Sequence, residues 1–300
     1  MISGLVNMET TLRVRQFPLD YYPIDYPFFG VSSAPAGVAL NITRALRCLG
    51  DEVMLTSMTG EDFPAEFIRR ELAGCGVDTS HVRPVLRETP ASVVLYDPSG
   101  RRQVHSDLKD IQEASCPFDP QAIAAADLVV ACNINFNRPL LSLAKAAGKT
   151  IATDVHVLRD VHDGYNRDFM QAADILFLSD EGAGEGWEGL IWALAQAYPC
   201  RIIVMGRGGQ GAAMYLREEN RIHLMPAARV GDVVNTVGAG DSLCSAFLHY
   251  YAQGLAPIEC LLRAQIFASA KIRVSGAGRG FVPPEEVEEL CQALRSGMGM

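Results

Sequence analysis

The sequence predicts an α/β fold: a mostly parallel sheet covered by helices on both faces. Short apolar runs suited to buried strands alternate with helical periodicity from about residue 37 onward. The breaks between them carry glycine, proline or a helix-capping acid. With 300 residues, 49% of them hydrophobic, the chain can bury one large core.

The elements follow in order. Residues 1–6 read as a first strand. Ile42, Ala45, Leu46 and Leu49 fall at i, i+3, i+4 and i+7, and Gly50 ends that helix. Residues 53–57 read as a strand, after which Asp62 caps a helix with Pro64 in its first turn. Residues 128–132 form a buried strand. Pro139 opens a helix carrying Leu140, Leu141, Ala144 and Ala147, closed by Gly148. Strands are expected at 150–153, 175–178, 201–205 and 212–216, then helices at about 240–253 and 257–273.

Two stretches break the alternation. Residues 10–36 are rich in Pro, Tyr and Phe without helical spacing. Residues 91–106 read as strand, turn (Asp97-Pro98-Ser99-Gly100) and strand. They predict a small β appendage beside a cleft, leaving 1–9, 37–90 and 107–300 as the core.

Charge and cysteine usage exclude some partners. The net charge is −9 and no Lys/Arg-rich block occurs, which disfavours nucleic acid. Eight cysteines are scattered without a C-x-x-C pair, as reduced thiols in a cytoplasmic protein would be. No apolar run approaches the roughly 18 residues of a membrane span, and the N-terminus lacks a basic, signal-like start.

The strongest constellation is Asn235-Thr236-Val237-Gly238-Ala239-Gly240-Asp241, which runs into a helix with Leu243, Ala246, Phe247, Tyr250 and Tyr251 on one face. Small residues let a ligand approach the backbone, and the amides of a helix N-terminus favour an anion. Asp241 adds a carboxylate in that first turn. Such a loop suits phosphoryl transfer, which needs positioning, charge stabilisation and a base for the acceptor hydroxyl. A plain glycine turn with a first-turn acid fits the same residues.

This segment resembles the Asp-Thr-x-Gly-Ala-Gly-Asp signature of the ribokinase-like sugar kinases, the PfkB family. Gly4-Leu5-Val6-Asn7-Met8-Glu9 resembles that family's opening strand, and Ala36-Gly37-Val38-Ala39-Leu40-Asn41 its substrate loop. Leu49-Gly50 and Thr59-Gly60-Glu61-Asp62 follow at the family's distances, and Tyr96-Asp97-Pro98-Ser99-Gly100 resembles a lid hairpin. The resemblance implies a three-layer α/β/α ribokinase-like fold with a discontinuous β lid. It implies Asp241 as catalytic base, Gly238, Ala239 and Gly240 as an anion hole, and Asn7, Glu9, Gly37 and Asn41 lining the acceptor pocket. It implies ATP near Thr236, Gly206, Gly208 and Gly211, magnesium on the ATP phosphates, and a monovalent cation such as K+ near residues 235–240 and 274–278. A homodimer through the lid is also implied, with Tyr21, Tyr22, Tyr26, Phe28 and Phe29 as an apolar contact.

Four positions depart from the pattern. Glu9 stands for Asp, Asn235 for the first Asp of the signature, and Gly206 for Ser/Thr. Ser179-Asp180-Glu181-Gly182 stands for the magnesium-linked Asn-x-x-Glu, making Asp180 and Glu181 the candidate metal residues, acting through water. Cys132-Asn133-Ile134 and the Pro-Ala-Gly loop resemble the family's pseudouridine kinases, so both sugar and nucleoside acceptors stay open.

Other motifs were set aside. Gly148-Lys149-Thr150 resembles the end of a Walker A loop, but Leu143 stands where its first Gly belongs. Two Gly-x-Gly-x-x-Gly matches, at Gly206 and Gly184, lack the strand-to-helix setting of a dinucleotide site. Asp154, His156, Asp160, His162 and Asp163 read as a solvated loop rather than metal ligands, with His156 a satisfied strand-end histidine; Trp187 and Trp192 read as helix packing. A sugar or nucleoside kinase, a non-catalytic ligand-binding relative and a dinucleotide oxidoreductase are the three readings carried forward.

Overall fold

The computed structural model describes residues 1–99, 101–274, 276 and 278–297. Gly100 of the expected Asp97–Gly100 turn, and Ser275 and Ala277 of the expected cation segment, lie outside the described residues.

Nine strands form the central sheet in the order Arg221–Met225, Ala212–Leu216, Ile202–Gly206, Ile175–Ser179, Thr150–Val157, Leu128–Ala131, Ile2–Ser3, Leu55–Thr59 and Val82–Pro84. Only Ala212–Leu216 runs antiparallel to its neighbours. The strands are apolar on both faces because both are covered. In Ile175–Ser179, Ile175 and Phe177 join the core under helices Val38–Cys48, Ala239–Ala252 and Pro257–Lys271, whereas Leu176 and Leu178 join the core under Trp187–Ala197. The period-two alternation of side chains thus feeds two cores from one strand. Helices Pro120–Ala125, Arg138–Ala146 and Arg167–Ala172 cover the sheet over a third cluster, completing three layers.

A second sheet of four strands, in the order Val31–Ala36, Asn7–Arg13, Ala91–Tyr96 and Arg102–Asp107, stands beside the first. Asn7–Arg13 is continuous, so Asn7 and Glu9 are both carried by the small sheet. The chain returns to the core at Gly37, whose φ of 106° leads into helix Val38–Cys48. A Cβ there would lie 2.5 Å from the Leu5 carbonyl oxygen. Gly37 therefore works through its backbone, letting the exit of one sheet cross the entry of the other.

Most expected elements are present with shifted ends. The strand expected at 53–57 lies at Leu55–Thr59, and the Asp62 carboxylate accepts from Ala65 N at 3.0 Å, as a helix cap should. One expectation is corrected. Thr150–Val157 extends past residue 153, so Asp154 and His156 sit on the end of a central strand and not in a loop.

Gly37→Ala is expected to destabilise the protein by about 2–3 kcal/mol, the range for a strained φ plus an unrelieved clash. Chemical denaturation measures it, and an unchanged midpoint would contradict the crossing described.

Candidate active site

The site grows from the turn that starts helix Ala239–Ala252. Asn235 Oδ1 accepts from Val237 N at 2.7 Å, and Ala239 N donates to Thr236 O at 3.1 Å, closing a tight turn. Gly238 caps the helix in the left-handed conformation (φ 80°, ψ 8°), with no side chain bonding the helix amides. Val234 N and Asn235 N both donate to the Ile272 carbonyl, at 2.9 and 3.0 Å, and Lys271 Nζ donates to the Val237 carbonyl. The turn is thus anchored to the end of helix Pro257–Lys271.

The Ala239 amide is used by the turn itself. Among the described residues the amides of Gly238, Gly240 and Asp241 have no acceptor. A Cβ built on Gly240 meets nothing within 4 Å, so open space lies in front of it. Unpaired donors at a helix N-terminus facing open space form an anion seat.

Asp241 borders these amides and is half-buried. Its Oδ2 accepts from Asn41 Nδ2 at 2.7 Å. Asn41 sits in the first turn of Val38–Cys48, positioned by its N–H bond to Gly37 O at 2.9 Å. The Asn7 amide Nδ2 donates to Ser92 Oγ at 2.9 Å across the small sheet. Among the described residues Asn7 Oδ1 and Asn41 Oδ1 are buried without partners, although buried acceptors are nearly always bonded. Glu9 lies two residues from Asn7, on the same face of its strand.

Burial pushes the Asp241 carboxyl above its ordinary value; Asn41 and the positive charges of His156 and Lys271 oppose the rise, and Asp154 adds to it. Glu9 is raised too, by burial and by the Asp241 charge, with Ser92 and Arg102 opposing. The cost of desolvating carboxylates beside one another drives both shifts. Asp154 is lowered although burial opposes it, because His156 supplies charge and hydrogen bonds. His156 takes φ 59°, donates its N–H to Asp154 Oδ1 at 2.7 Å, and has Nδ1 3.5 Å from Asp154 Oδ2. The Asp154 charge pushes the imidazole up to about 9.

On the nucleotide side, Gly211 has φ 97°, and a Cβ there would lie 2.1 Å from Met225 O. Gly208 (φ 51°) meets nothing, and Gly206 would take a Cβ at ordinary contact with Leu243. Thr236 is exposed. Asp180 Oδ2 stands 4.0 Å from Arg207 Nε, and the Arg207 guanidinium lies 4.1 Å over the Trp187 ring. Glu181 Oε1 is 3.8 Å from Arg102 Nη2 of the small sheet. Among the described residues no three His, Cys, Asp or Glu side chains converge to hold a metal ion. Surface cavities of about 420 Å³ beside Asp62 and Arg69, and about 400 Å³ beside Leu224 and Ile258, touch none of Asn7, Glu9, Asn41 or Asp241.

The Gly238–Asp241 turn, Asn41 and Glu9, distant from one another in the chain, therefore come together. Three further groups join them. Arg102 is an ordinary exposed-strand residue in the sequence. Lys271 reads as a routine C-terminal lysine. The Asp154–His156 pair lies at the end of strand Thr150–Val157, in a stretch that read as a solvated loop with a strand-end histidine.

The sequence profile described as pfkB family carbohydrate kinase matches residues 2–283. The ATP-dependent ribose-1-phosphate kinase of Halopiger xanaduensis is 28% identical over 254 residues, covering 82% of each chain. The crystal structure of a putative ribokinase from Agrobacterium tumefaciens superposes with a TM-score of 0.86 at 24% identity, over 98% of this chain and 97% of that one. The Arabidopsis thaliana ribokinase complexed with ribose and ATP superposes at 0.80 with 20% identity, over 96% and 97%. These matches give the three-layer ribokinase-like fold.

His156 carries a pH test. The Asp154 charge raises its pKa from the ordinary imidazole value near 6.5 to about 9, so its stabilisation is complete below about pH 6.5 and is lost as pH rises through about 9. Between those limits the melting temperature is expected to fall more in the wild type than in His156→Gln; parallel curves would contradict the ion pair. The half-exposed ring keeps the effect modest.

Proposed function

The chain belongs to the pfkB family of carbohydrate kinases, ATP-dependent phosphotransferases, and we propose that it phosphorylates a hydroxyl of a small sugar or sugar-like acceptor with Asp241 as base. The observation that carries this reading is the juxtaposition of the Asp241 carboxylate with the three unpaired amides of Gly238, Gly240 and Asp241. A transferring phosphoryl group seated on those amides has its developing charge met by fixed dipoles. The acceptor hydroxyl bonds to Asp241 and gives up its proton as it attacks the γ-phosphorus, while the bond to ADP breaks. A carboxyl raised by burial is a better proton acceptor than a surface one, provided it is ionised, and Asn41 favours that form.

Asn7 Oδ1 and Asn41 Oδ1 supply acceptors that two further hydroxyls of a polyol would satisfy. Glu9 adds a longer reach than an aspartate. The small sheet, 10–36 and 91–106 with Asn7 and Glu9 at its base, acts as the lid that keeps water from competing as acceptor. Glu181–Arg102 links lid and core. ATP lies along Gly206–Gly211 and Thr236. Magnesium chemistry is charge neutralisation on the ATP phosphates. The chain offers no three-ligand cluster among the described residues, so the phosphates hold the ion and Asp180 and Glu181 reach it only through water. A pseudouridine or other nucleoside acceptor is the second reading, favoured by Cys132-Asn133-Ile134 and by the Pro-Ala-Gly loop. We place the protein in the cytoplasm; no described helix is long and apolar enough to cross a membrane. Tyr21, Tyr26, Phe28 and Phe29, 70–107% exposed, are the surface we assign to a second copy through the lid.

A panel of pentoses, hexoses and nucleosides assayed for ADP release identifies the acceptor. With whichever acceptor turns over, Asp241→Asn is expected to lower kcat by about 10²–10⁴-fold, the range for a general base, while ATP binding stays within a few-fold. Normal turnover would remove Asp241 from the mechanism. Gly240→Val is expected to fold, since its Cβ enters open space, yet to lose phosphoryl transfer because the side chain occupies the anion seat. An active variant would discard that seat.

A further inference from the structure

The resemblance implies a monovalent cation beside residues 235–240 and 274–278, of which Ser275 and Ala277 lie outside the described residues. An ion at that loop needs carbonyl oxygens. The Val237 carbonyl, which faces the end of helix Pro257–Lys271, is already bound by the Lys271 ammonium.

Lys271 is 0% exposed, and among the described residues no carboxylate lies within 4.0 Å of its Nζ. Burying an ammonium without a counter-charge in contact is costly, so such a lysine calls for an explanation. Two features offset the cost. It ends a fifteen-residue helix, where the dipole favours a cation, and it lies within electrostatic reach of Asp241. Burial lowers its pKa to about 8, which leaves it a cation at neutral pH.

The consequence for the anion seat follows from peptide geometry. In a trans peptide the C=O and the following N–H point in opposite directions within one plane. Drawing the Val237 carbonyl inward onto Lys271 turns the Gly238 N–H outward. We infer that Lys271 is a built-in cation of the anion-binding loop: its ammonium fixes the Val237–Gly238 peptide so that the Gly238 amide faces the phosphoryl group, and it stands where a free monovalent ion would otherwise be needed. Lys271 is a positioning residue, because it touches the loop and not the substrate. The inference rests on the kinase reading and adds to it that nucleotide binding is independent of K+.

The test is calorimetric titration of Mg2+ and β,γ-methylene-ATP into the wild type and Lys271→Met, each in potassium chloride and in tetramethylammonium chloride at equal ionic strength, with melting temperatures recorded alongside. Wild-type Kd is expected to agree within about twofold between the salts, with equal melting temperatures. Lys271→Met is expected to bind about tenfold or more weakly in tetramethylammonium and to regain at least about threefold in potassium or ammonium chloride, a rescue that loss of packing alone does not give. Wild-type binding that tightens more than about fivefold with K+ would overturn the inference while leaving the kinase reading intact. So would a Lys271→Met variant that binds like the wild type in tetramethylammonium. If that variant does not fold, the wild-type salt comparison decides alone. Wild type that binds the analogue in neither salt would overturn the kinase reading itself, and the inference with it.

Discussion

The structure depends on how one short loop is held. Residues 234–241 link a sheet edge to helix Ala239–Ala252, and three of their backbone groups are anchored to the end of a neighbouring helix. Two amides go to the Ile272 carbonyl and one carbonyl goes to Lys271. The internal donors left over, on Gly238, Gly240 and Asp241, have no acceptor among the described residues, and open space lies beside Gly240. The proposed anion seat follows from accounting for every backbone group in the turn. No side chain caps this helix, and a capping side chain would have filled the seat.

Around that seat the charges are balanced at close quarters. Glu9, Asp154 and Asp241 lie within electrostatic reach of His156, Lys271 and the exposed Arg102. Asp154 is held down by its pairing with His156, whereas burial raises Asp241 against the Asn41 hydrogen bond, and burial and the Asp241 charge raise Glu9 against Ser92 and Arg102. The environment thus separates a lowered carboxyl, Asp154, from two raised ones, Asp241 and Glu9. Two sheets meet here because Gly37 lets the chain cross from one to the other, so Asn7 and Glu9 come from the small sheet and Asn41 and Asp241 from the core.

Much of this was legible in the sequence because its causes are local. Periodicity placed helix Val38–Cys48, and Asp62 marked a cap that the structure contains. The glycines before Asp241 announced a close-approach turn. What stayed hidden was non-local. That the Ala239 amide is spent inside the turn depends on the Thr236 carbonyl's orientation, which spacing does not give. Lys271 became significant only once a helix end was packed beside Val237, thirty-four residues earlier. The stretch holding Asp154 read as a loop, whereas the strand continues through it, with a shift in register against Ile175–Ser179, to end just past the strand-end residue His156. The acceptor is illegible for a further reason: orphan amide oxygens ask for hydroxyls without saying which polyol brings them.

The most direct measurement is a crystal structure with ADP, Mg2+, aluminium fluoride and the acceptor found to turn over. The account predicts fluoroaluminate about 2.7–3.1 Å from the amide nitrogens of Gly238, Gly240 and Asp241, with the acceptor hydroxyl on the Asp241 carboxylate. A metal fluoride bound elsewhere, or an acceptor hydroxyl out of reach of Asp241, would contradict it.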